Sequence, residues 1–375
     1  NTAIGSEALE MNTTGDSNTA VGFRAMEENT TGTSNTAVGR DALEGNTTGA
    51  GNVAVGRDVL TNNTTGAYNT AVGQNALLTN TTGGYNVAVG KDALYTSDED
   101  SNTAVGYRAS YLNTVGNNNT ALGRETLYTN VAADRNVAIG YRSLYTMSRS
   151  TTADTYNVGC GNETLYSCTT GALNVGVGGK ALYSLTTADG AVAVGYEAAK
   201  DWVGSYSITA IGYLALANCT TGVNNTALGR NSLTTLTTAS ENTALGNMSM
   251  QAATTGYENV AVGSNSLYTI TTGANNTALG HNALYTNNGD SNVAVGKDAL
   301  KLNTTGSENT AVGKQSFAAN TTGINNSVLG VTALLANTTG RDNTSVGQSS
   351  LKANTTGSNN TAVGRVCLLY TSDAA

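Results

Sequence analysis

The chain has 375 residues, of which 45 are glycine and none is proline; only 12% are charged and 6% are aromatic. An average globular protein has about 25% charged residues, and so few aromatic residues cannot fill the cores of two or three ordinary domains. The net charge of −8 argues against nucleic acid as a partner, because phosphate binding requires lysine and arginine. The sequence lacks the long apolar run that a membrane span needs, so no membrane insertion is expected.

A tandem repeat runs through almost the whole sequence. Its unit is Asn-Thr-Ala-Val-Gly-x-x-Ala-Leu-x-x-Asn-Thr-Thr-Gly-x-x, and the glycine at position five occurs in 22 copies from Gly5 to Gly364. Of the 21 intervals between these glycines, 18 are 17 residues long, two are 16 and one is 21. This period is too short for helical hairpin repeats, which need about 33 residues. We therefore predict an all-β fold, a parallel β-solenoid (β-roll) of about 22 coils that forms one continuous array over residues 1–366.

Columns of equivalent residues predict how each coil packs. Position two is Thr or Val in 21 copies, position four is Val, Ile or Leu in 21 copies, and position nine is mostly Leu. Positions two and four share one face of a strand, so they are predicted to form a thin core with the leucine. Asn at position one is predicted to form an amide ladder along the axis.

Position three points to the opposite face of the strand. It is Ala in 18 copies and is never charged, which predicts that another chain covers it. The candidate oligomer interface is therefore Ala20, Ala37, Ala54, Ala71 and Ala88. The alternative is that these alanines face inward, in a roll too narrow for anything larger, and that the Thr/Val column faces outward.

The unit Asn-Thr-Ala-Val-Gly-x-x-Ala-Leu resembles the head repeats of trimeric autotransporter adhesins, whose coils form a left-handed parallel β-roll. Extended by Asn-Thr-Thr-Gly, it is similar to repeats in phage tail fibres, and the resemblance covers residues 1 to about 366. It implies a homotrimer that is extracellular, on a cell surface or a virion. It also implies a non-enzymatic structural and adhesive role, as the shaft or head segment of a surface adhesin or tail fibre. It implies no particular ligand.

The last residues leave the repeat. Cys367 to Ala375 read Cys-Leu-Leu-Tyr-Thr-Ser-Asp-Ala-Ala, which resembles the translation of a common sequencing adapter. Residues 367–375 are therefore predicted to be a non-native tail. The alternative is a degenerate last coil, because Leu-Tyr-Thr-Ser-Asp also occurs within Asp92 to Asp98.

Tyrosine at position ten is the most prominent candidate for a binding site. It occurs in six consecutive coils and predicts an axial stripe: Tyr95, Tyr111, Tyr128, Tyr145, Tyr166 and Tyr183. The stripe contacts a host-surface glycan or protein, or else it packs on itself or forms part of the trimer seam. The second interpretation is favoured because stacked aromatic side chains stabilise sheets. Positions six and seven often pair a base with an acid, as in Arg40–Asp41, and these charges are expected to pair between coils.

Three functions are weighed on this basis. A structural and adhesive segment that mediates host or surface attachment is favoured. The second is an ice-binding β-solenoid, in which stacked threonines such as Thr13 and Thr14 order water. The third is a glycan-degrading tailspike, which would need paired carboxylates on neighbouring coils, whereas the acids here recur beside bases. No catalytic residue, cofactor or metal site is predicted, and the four cysteines are predicted to be free, with Cys160 at a core position.

Overall fold

The described part of the chain forms two compact units of stacked coils. The computed structural model describes residues 1–369, and these divide into a first unit, Asn1–Gly190, and a second unit that begins at Ala191. Within residues 1–369 every regular element is a short β-strand, and there is no helix. It follows that none of these residues belongs to a helix long and apolar enough to cross a membrane.

The first unit contains 13 strands. They are β1 Thr2–Ile4, β2 Thr19–Val21, β3 Thr36–Val38, β4 Val53–Val55, β5 Thr70–Val72, β6 Val87–Val89, β7 Thr103–Val105, β8 Thr120–Leu122, β9 Ala133–Asp134, β10 Val137–Ile139, β11 Ala153–Asp154, β12 Val158–Cys160 and β13 Val175–Val177. The three-residue strands pair in parallel with the next coil, and equal repeat positions lie opposite each other, as Ala20 does opposite Ala37. The two-residue strands β9 and β11 form a separate parallel pair beside the 21-residue coil.

The second unit contains 11 strands. They are β14 Val192–Val194, β15 Thr209–Ile211, β16 Thr226–Leu228, β17 Thr243–Leu245, β18 Val260–Val262, β19 Thr277–Leu279, β20 Val293–Val295, β21 Thr310–Val312, β22 Ser327–Leu329, β23 Thr344–Val346 and β24 Thr361–Val363. Each pairs in parallel and in register with the next, as Thr209 does with Thr226. The predicted parallel β-solenoid with a 17-residue repeat is thus confirmed in both units.

Left-handed backbone conformations close each coil after a short strand. The glycine at position five has φ between +117° and +146° in every copy. Residues with a Cβ atom rarely adopt this backbone conformation. Positions seven and nine are also left-handed, as at Asp41 (φ 54°) and Leu43 (φ 54°). Positions five, seven and nine, which all follow the strand closely, thus have positive φ. Because of these three residues the chain folds back on itself and leaves a narrow interior.

The alanine column at position three lines that interior, which corrects our prediction of a chain–chain interface. Ala20, Ala37, Ala54, Ala71 and Ala88 all have zero exposed area within the single chain. No partner chain is needed to cover them, so the alternative with inward alanines is the right one. The physical reason is the width of the coil: the leucine at position nine is also fully buried, as at Leu77, and leaves room for a small side chain opposite it, the largest being the buried Val328.

Exceptions in the alanine column show how tight this packing is. A methyl group on Gly159 would lie 2.5 Å from Oγ of Ser143, and one on Gly176 would lie 2.6 Å from Cγ2 of Thr164. Ser143 and Thr164 stand at position eight, where the repeat usually has Ala. In these two coils the larger side chain at position eight occupies the space that a methyl group at position three of the next coil would take. The pairing is not general, because Val59 and Thr126 at position eight are followed by Ala71 and Ala138.

Positions two and four point outward, so their predicted place in the core was wrong. From β2 onward the three-residue strands of the first unit show a half-buried or exposed residue on either side of a buried one, as in Thr36–Val38. Val38 and Val55 each expose 37% of their area, and Cys160 is half-buried rather than in the core. The strand thus presents Thr or Val at position two and Val, Ile or Leu at position four to the outside.

Two ladders of buried asparagines run through the coils. The predicted one, at position one, is present: Oδ1 of Asn18 accepts the backbone N–H of Asn35 at 2.9 Å. The second, at position twelve, was not predicted as a buried column. There Nδ2 of Asn63 donates to Oδ1 of Asn46 at 2.8 Å and to the carbonyl of Gly66 at 3.0 Å. These amides satisfy the polar groups of a narrow interior that few apolar side chains fill.

We expect Asn63→Asp to destabilise the protein by about 3–5 kcal/mol, the usual result of leaving a buried charge uncompensated. The change keeps the shape of the side chain but removes both donated hydrogen bonds and places a carboxylate against oxygen atoms. The matched control is Asn62→Asp, because Asn62 is exposed and surface changes usually stay within about 0.5 kcal/mol. Urea unfolding followed by circular dichroism gives both values, and equal losses would contradict the buried ladder.

The described end of the chain still pairs with the coil before it. The backbone N–H of Leu351 donates to the carbonyl of Cys367 at 2.9 Å, and that of Ala353 donates to Leu369 at 3.2 Å. The predicted non-native tail, residues 367–375, lies outside the described residues from position 370 onward.

Candidate binding face

Six tyrosines of the first unit form a continuous stack, which we call the tyrosine ladder: Tyr95, Tyr111, Tyr128, Tyr145, Tyr166 and Tyr183. Neighbouring ring centroids lie 5.0–5.3 Å apart. The planes are within 23° of parallel at the first pair and within 2° between Tyr145 and Tyr166. Position ten is half-buried in all six of these coils, so the coil repeat places each ring directly above the previous one. The predicted axial stripe therefore packs on itself.

Self-stacking limits what the tyrosine ladder can bind. Each inner ring has both faces covered by its neighbours, so a sugar ring cannot stack flat on it. What remains accessible is a row of ring edges and phenolic oxygens that repeats once per coil. Burial within the stack raises the pKa of Tyr111, Tyr145 and Tyr183 above the ordinary tyrosine value, so these hydroxyls stay protonated and can donate hydrogen bonds at neutral pH.

Three arginines lie beside the tyrosine ladder at positions six and seven. The guanidinium of Arg108 lies 5.3 Å from the ring centroid of Tyr111, and that of Arg142 lies 5.2 Å from Tyr145. Arg124 lies between two further tyrosines, at 5.8 Å from Tyr107 and 5.6 Å from Tyr141. Cation–π contacts of this kind hold a guanidinium in place through its flat face, so that its N–H groups point sideways, where they can pair with carboxylates.

The carboxylates on this face lie beneath the arginines. The side chains of Asp92 and Glu125 are only 7% and 10% exposed, whereas those of Arg108 and Arg124 are 38% and 61% exposed. Partial burial opposes ionisation of Glu125, but hydrogen bonds from Arg142, at 2.6 Å, and from Arg124 outweigh it and lower the pKa of this carboxyl. The charge that the face presents to solvent is therefore mainly positive.

The expectation about charged pairs is confirmed in part. Arg142 does pair with Glu125 of the preceding coil, at 2.6 Å. Arg40 and Asp41, however, pair as neighbours at 2.9 Å, because the left-handed backbone at position seven turns consecutive side chains toward each other. The sequence analysis named the six tyrosines of the ladder but missed Tyr107, Tyr141 and the arginines around them. Their signal was the alternation Tyr, Arg, Tyr at position six in three consecutive coils.

The buried thiols and the carboxylate of Asp98 have structural rather than catalytic surroundings. Cys168 and Cys219 are buried free thiols, and burial raises the pKa of Cys168 to about 12 and that of Cys219 to about 11. The carboxylate of Asp98 accepts the backbone N–H groups of Thr81 and Thr82 at 2.7 Å each, where a regular coil supplies a carbonyl. Within residues 1–369 no group of three or more His, Cys, Asp or Glu side chains is placed to hold a metal ion.

Comparison with known proteins gives no match: neither the protein-family models nor the curated proteins contain one for this sequence. The function is therefore inferred from the geometry of the coils and of the candidate face.

Proposed function

We propose that the protein is a non-enzymatic structural and adhesive segment that assembles as a homotrimer. In this role it is the shaft or head of a surface adhesin or phage tail fibre, extracellular, and attaches to a host surface. The observation that supports this proposal best is the outward face of the strands. It carries no charged residue at position two or four in any of the 22 copies.

The outward face has the composition of a buried surface. Parallel sheets are rarely left bare on either side, and large exposed apolar patches mark interaction sites. In the first unit Val105 and Ile139 each expose 37% of their area, and in the second Leu279 and Leu329 expose 46% and 51%. A second and third copy of the chain are the proposed cover, because every coil presents the same uncharged face, with Val, Ile or Leu at position four in 21 of the 22 copies, and a symmetric contact repeats with it. The contact thus lies at position four, and the alanine column stays inside each coil.

Thiol labelling tests this assembly. In a Cys367→Ser variant, Cys160 at position four is the half-exposed thiol, while Cys168 and Cys219 are buried. We expect Cys160 to react with a maleimide at least about tenfold more slowly in the assembled protein than after dilution into separated chains. The control moves the thiol to position eleven of the same coil, as Cys160→Val with Ser167→Cys, and labels fast in both states. Fast labelling of Cys160 at every concentration would contradict a covered outward face.

The same face favours one second candidate, an ice-binding solenoid. The threonines at position two, such as Thr19, Thr36 and Thr70, lie outward on a parallel sheet at the regular spacing of about 4.8 Å between strands. The turn threonines that first suggested this function are less suitable, because Oγ1 of Thr30 donates to the carbonyl of Thr47 at 2.9 Å. Thermal hysteresis of the purified protein decides between the two: the adhesive proposal predicts none, and clear hysteresis by a single-chain species supports ice binding.

A further inference from the structure

We propose that the face around the tyrosine ladder binds a carboxylate-bearing polysaccharide. This inference rests on the proposed adhesive function and names the partner class. We define the acidic-glycan face as positions six, seven, ten and eleven of the six coils that carry the tyrosine ladder. Its charged residues are Lys91, Asp92, Arg108, Arg124, Glu125, Arg142, Glu163 and Lys180.

Charge is the first argument. The acidic-glycan face has five cations and three carboxylates, a net charge of +2 on a chain whose net charge is −8. The arginines lie outermost, with Arg124 61% exposed above a Glu125 that is 10% exposed. Position eleven adds no charge in these coils. An anionic ligand therefore meets guanidinium groups first, and these pair with carboxylates in a two-pronged geometry.

Periodicity is the second argument. The tyrosine ladder repeats every 5.0–5.3 Å and offers a phenolic hydroxyl at each step. An extended polypeptide presents one face every two residues, about 6.6 Å, and loses register with the tyrosine ladder within a few coils. A linear chain of pyranose rings repeats close to the coil spacing and presents hydroxyl groups at every ring. The row of phenols therefore suits a polysaccharide better than an acidic protein.

Preorganisation is the third argument. Arg108 and Arg142 each contact two tyrosine rings, at 5.1 and 5.3 Å and at 4.9 and 5.2 Å. Their guanidinium groups are therefore ordered before a ligand arrives, which reduces the entropy lost on binding. In the first coils of the unit position ten is Glu10, Glu27 and Glu44 instead. Arg24 also lies over an aromatic ring, that of Phe23, at 5.2 Å, but in this unit only the tyrosine ladder combines arginines with tyrosine at position ten.

The test measures retention of the full chain by polygalacturonate in affinity electrophoresis, with dextran as the uncharged comparison and polyglutamate as the acidic polypeptide. We expect binding to polygalacturonate, none to dextran, and weakening as added salt screens the charges. Arg108→Gln/Arg124→Gln/Arg142→Gln should weaken binding at least about tenfold. The matched control is Arg24→Gln/Arg40→Gln/Arg57→Gln, which removes three arginines from the same repeat positions in coils without tyrosine at position ten, and should change it less than about twofold.

A second variant examines the hydroxyl row. Tyr111→Phe/Tyr128→Phe/Tyr145→Phe keeps the stacked rings and removes three phenolic oxygens, and we expect binding to weaken at least about threefold. The proposal is overturned if the chain does not bind polygalacturonate, if both arginine triples weaken binding equally, or if polyglutamate binds as tightly as polygalacturonate. None of these results alters the labelling of Cys160, so failure here is distinguishable from failure of the trimer.

Discussion

Replacing Ala71 with glutamate is expected to open the coils around β5 and to destabilise the protein by about 4 kcal/mol or more. Ala71 has no exposed area, and the largest side chain that the alanine column holds in any described coil is that of Val328, which is much shorter than glutamate. The change combines overpacking with a buried carboxylate that has no partner. Thermal unfolding followed by circular dichroism measures the loss, and amide hydrogen exchange shows whether it begins near β5.

The matched control is the neighbouring residue on the same strand. Val72 points outward and is half-buried, so Val72→Glu leaves the coil intact in a single chain and the β-sheet signal is retained. Our prediction from sequence placed Val72 in the core and Ala71 outside. On that basis Val72→Glu would destabilise the protein more than Ala71→Glu. A Val72→Glu variant that unfolds while Ala71→Glu stays folded would show that the strands face the other way.

Replacing Gly39 with alanine is expected to cost about 3 kcal/mol more than the same change at Gly56. Both glycines have similar conformations, with φ of +139° and +134°, so both variants bear the same backbone strain of about 1–3 kcal/mol. The added methyl group differs in its surroundings. At Gly39 it would lie 2.1 Å from the carbonyl oxygen of Gly56, whereas at Gly56 its nearest neighbour is 3.1 Å away. The additional destabilisation of Gly39→Ala, about 3 kcal/mol, is at the upper end of what overpacking usually costs.

Urea unfolding of the two glycine variants distinguishes backbone strain from steric overlap between the added methyl group and the next coil. Because the oxygen near Gly39 belongs to the backbone of the next coil, it cannot move without disturbing the hydrogen bonds between coils. Equal losses for Gly39→Ala and Gly56→Ala would mean that only the left-handed backbone matters and that the coils are less closely stacked than described.

The fold could be predicted because it follows from the repeat itself. A period of 17 residues, the glycine at position five and the asparagine at position one together require a stack of short strands and turns. The direction of each strand face could not be predicted from alternation, because alternation is the same whichever face is buried. Burial within the single chain decides it: Ala71 has no exposed area, whereas Val72 is half-buried.

Of the candidate site, only the tyrosine column was predicted from the sequence. Tyr95 to Tyr183 at position ten are visible in the sequence as a column, and stacking follows directly from the coil repeat. The contacts of Arg108 and Arg142 with these rings depend on the left-handed backbone at position seven, where φ is 53° and 51°. That conformation bends consecutive side chains toward one another, whereas a strand would point them apart. Residue order alone therefore did not indicate the acidic-glycan face.

The molecular mass in solution tests the account most directly. Sedimentation equilibrium at micromolar concentration should give three times the chain mass of 38.0 kDa. The variant Val38→Glu/Val72→Glu/Val105→Glu places a charge on the outward face of three alternate coils of the first unit, β3, β5 and β7, and should give a monomer with an unchanged β-sheet signal. A wild-type protein that sediments as a folded monomer of 38.0 kDa, or a charged variant that remains trimeric, would contradict the proposed assembly through the outward face.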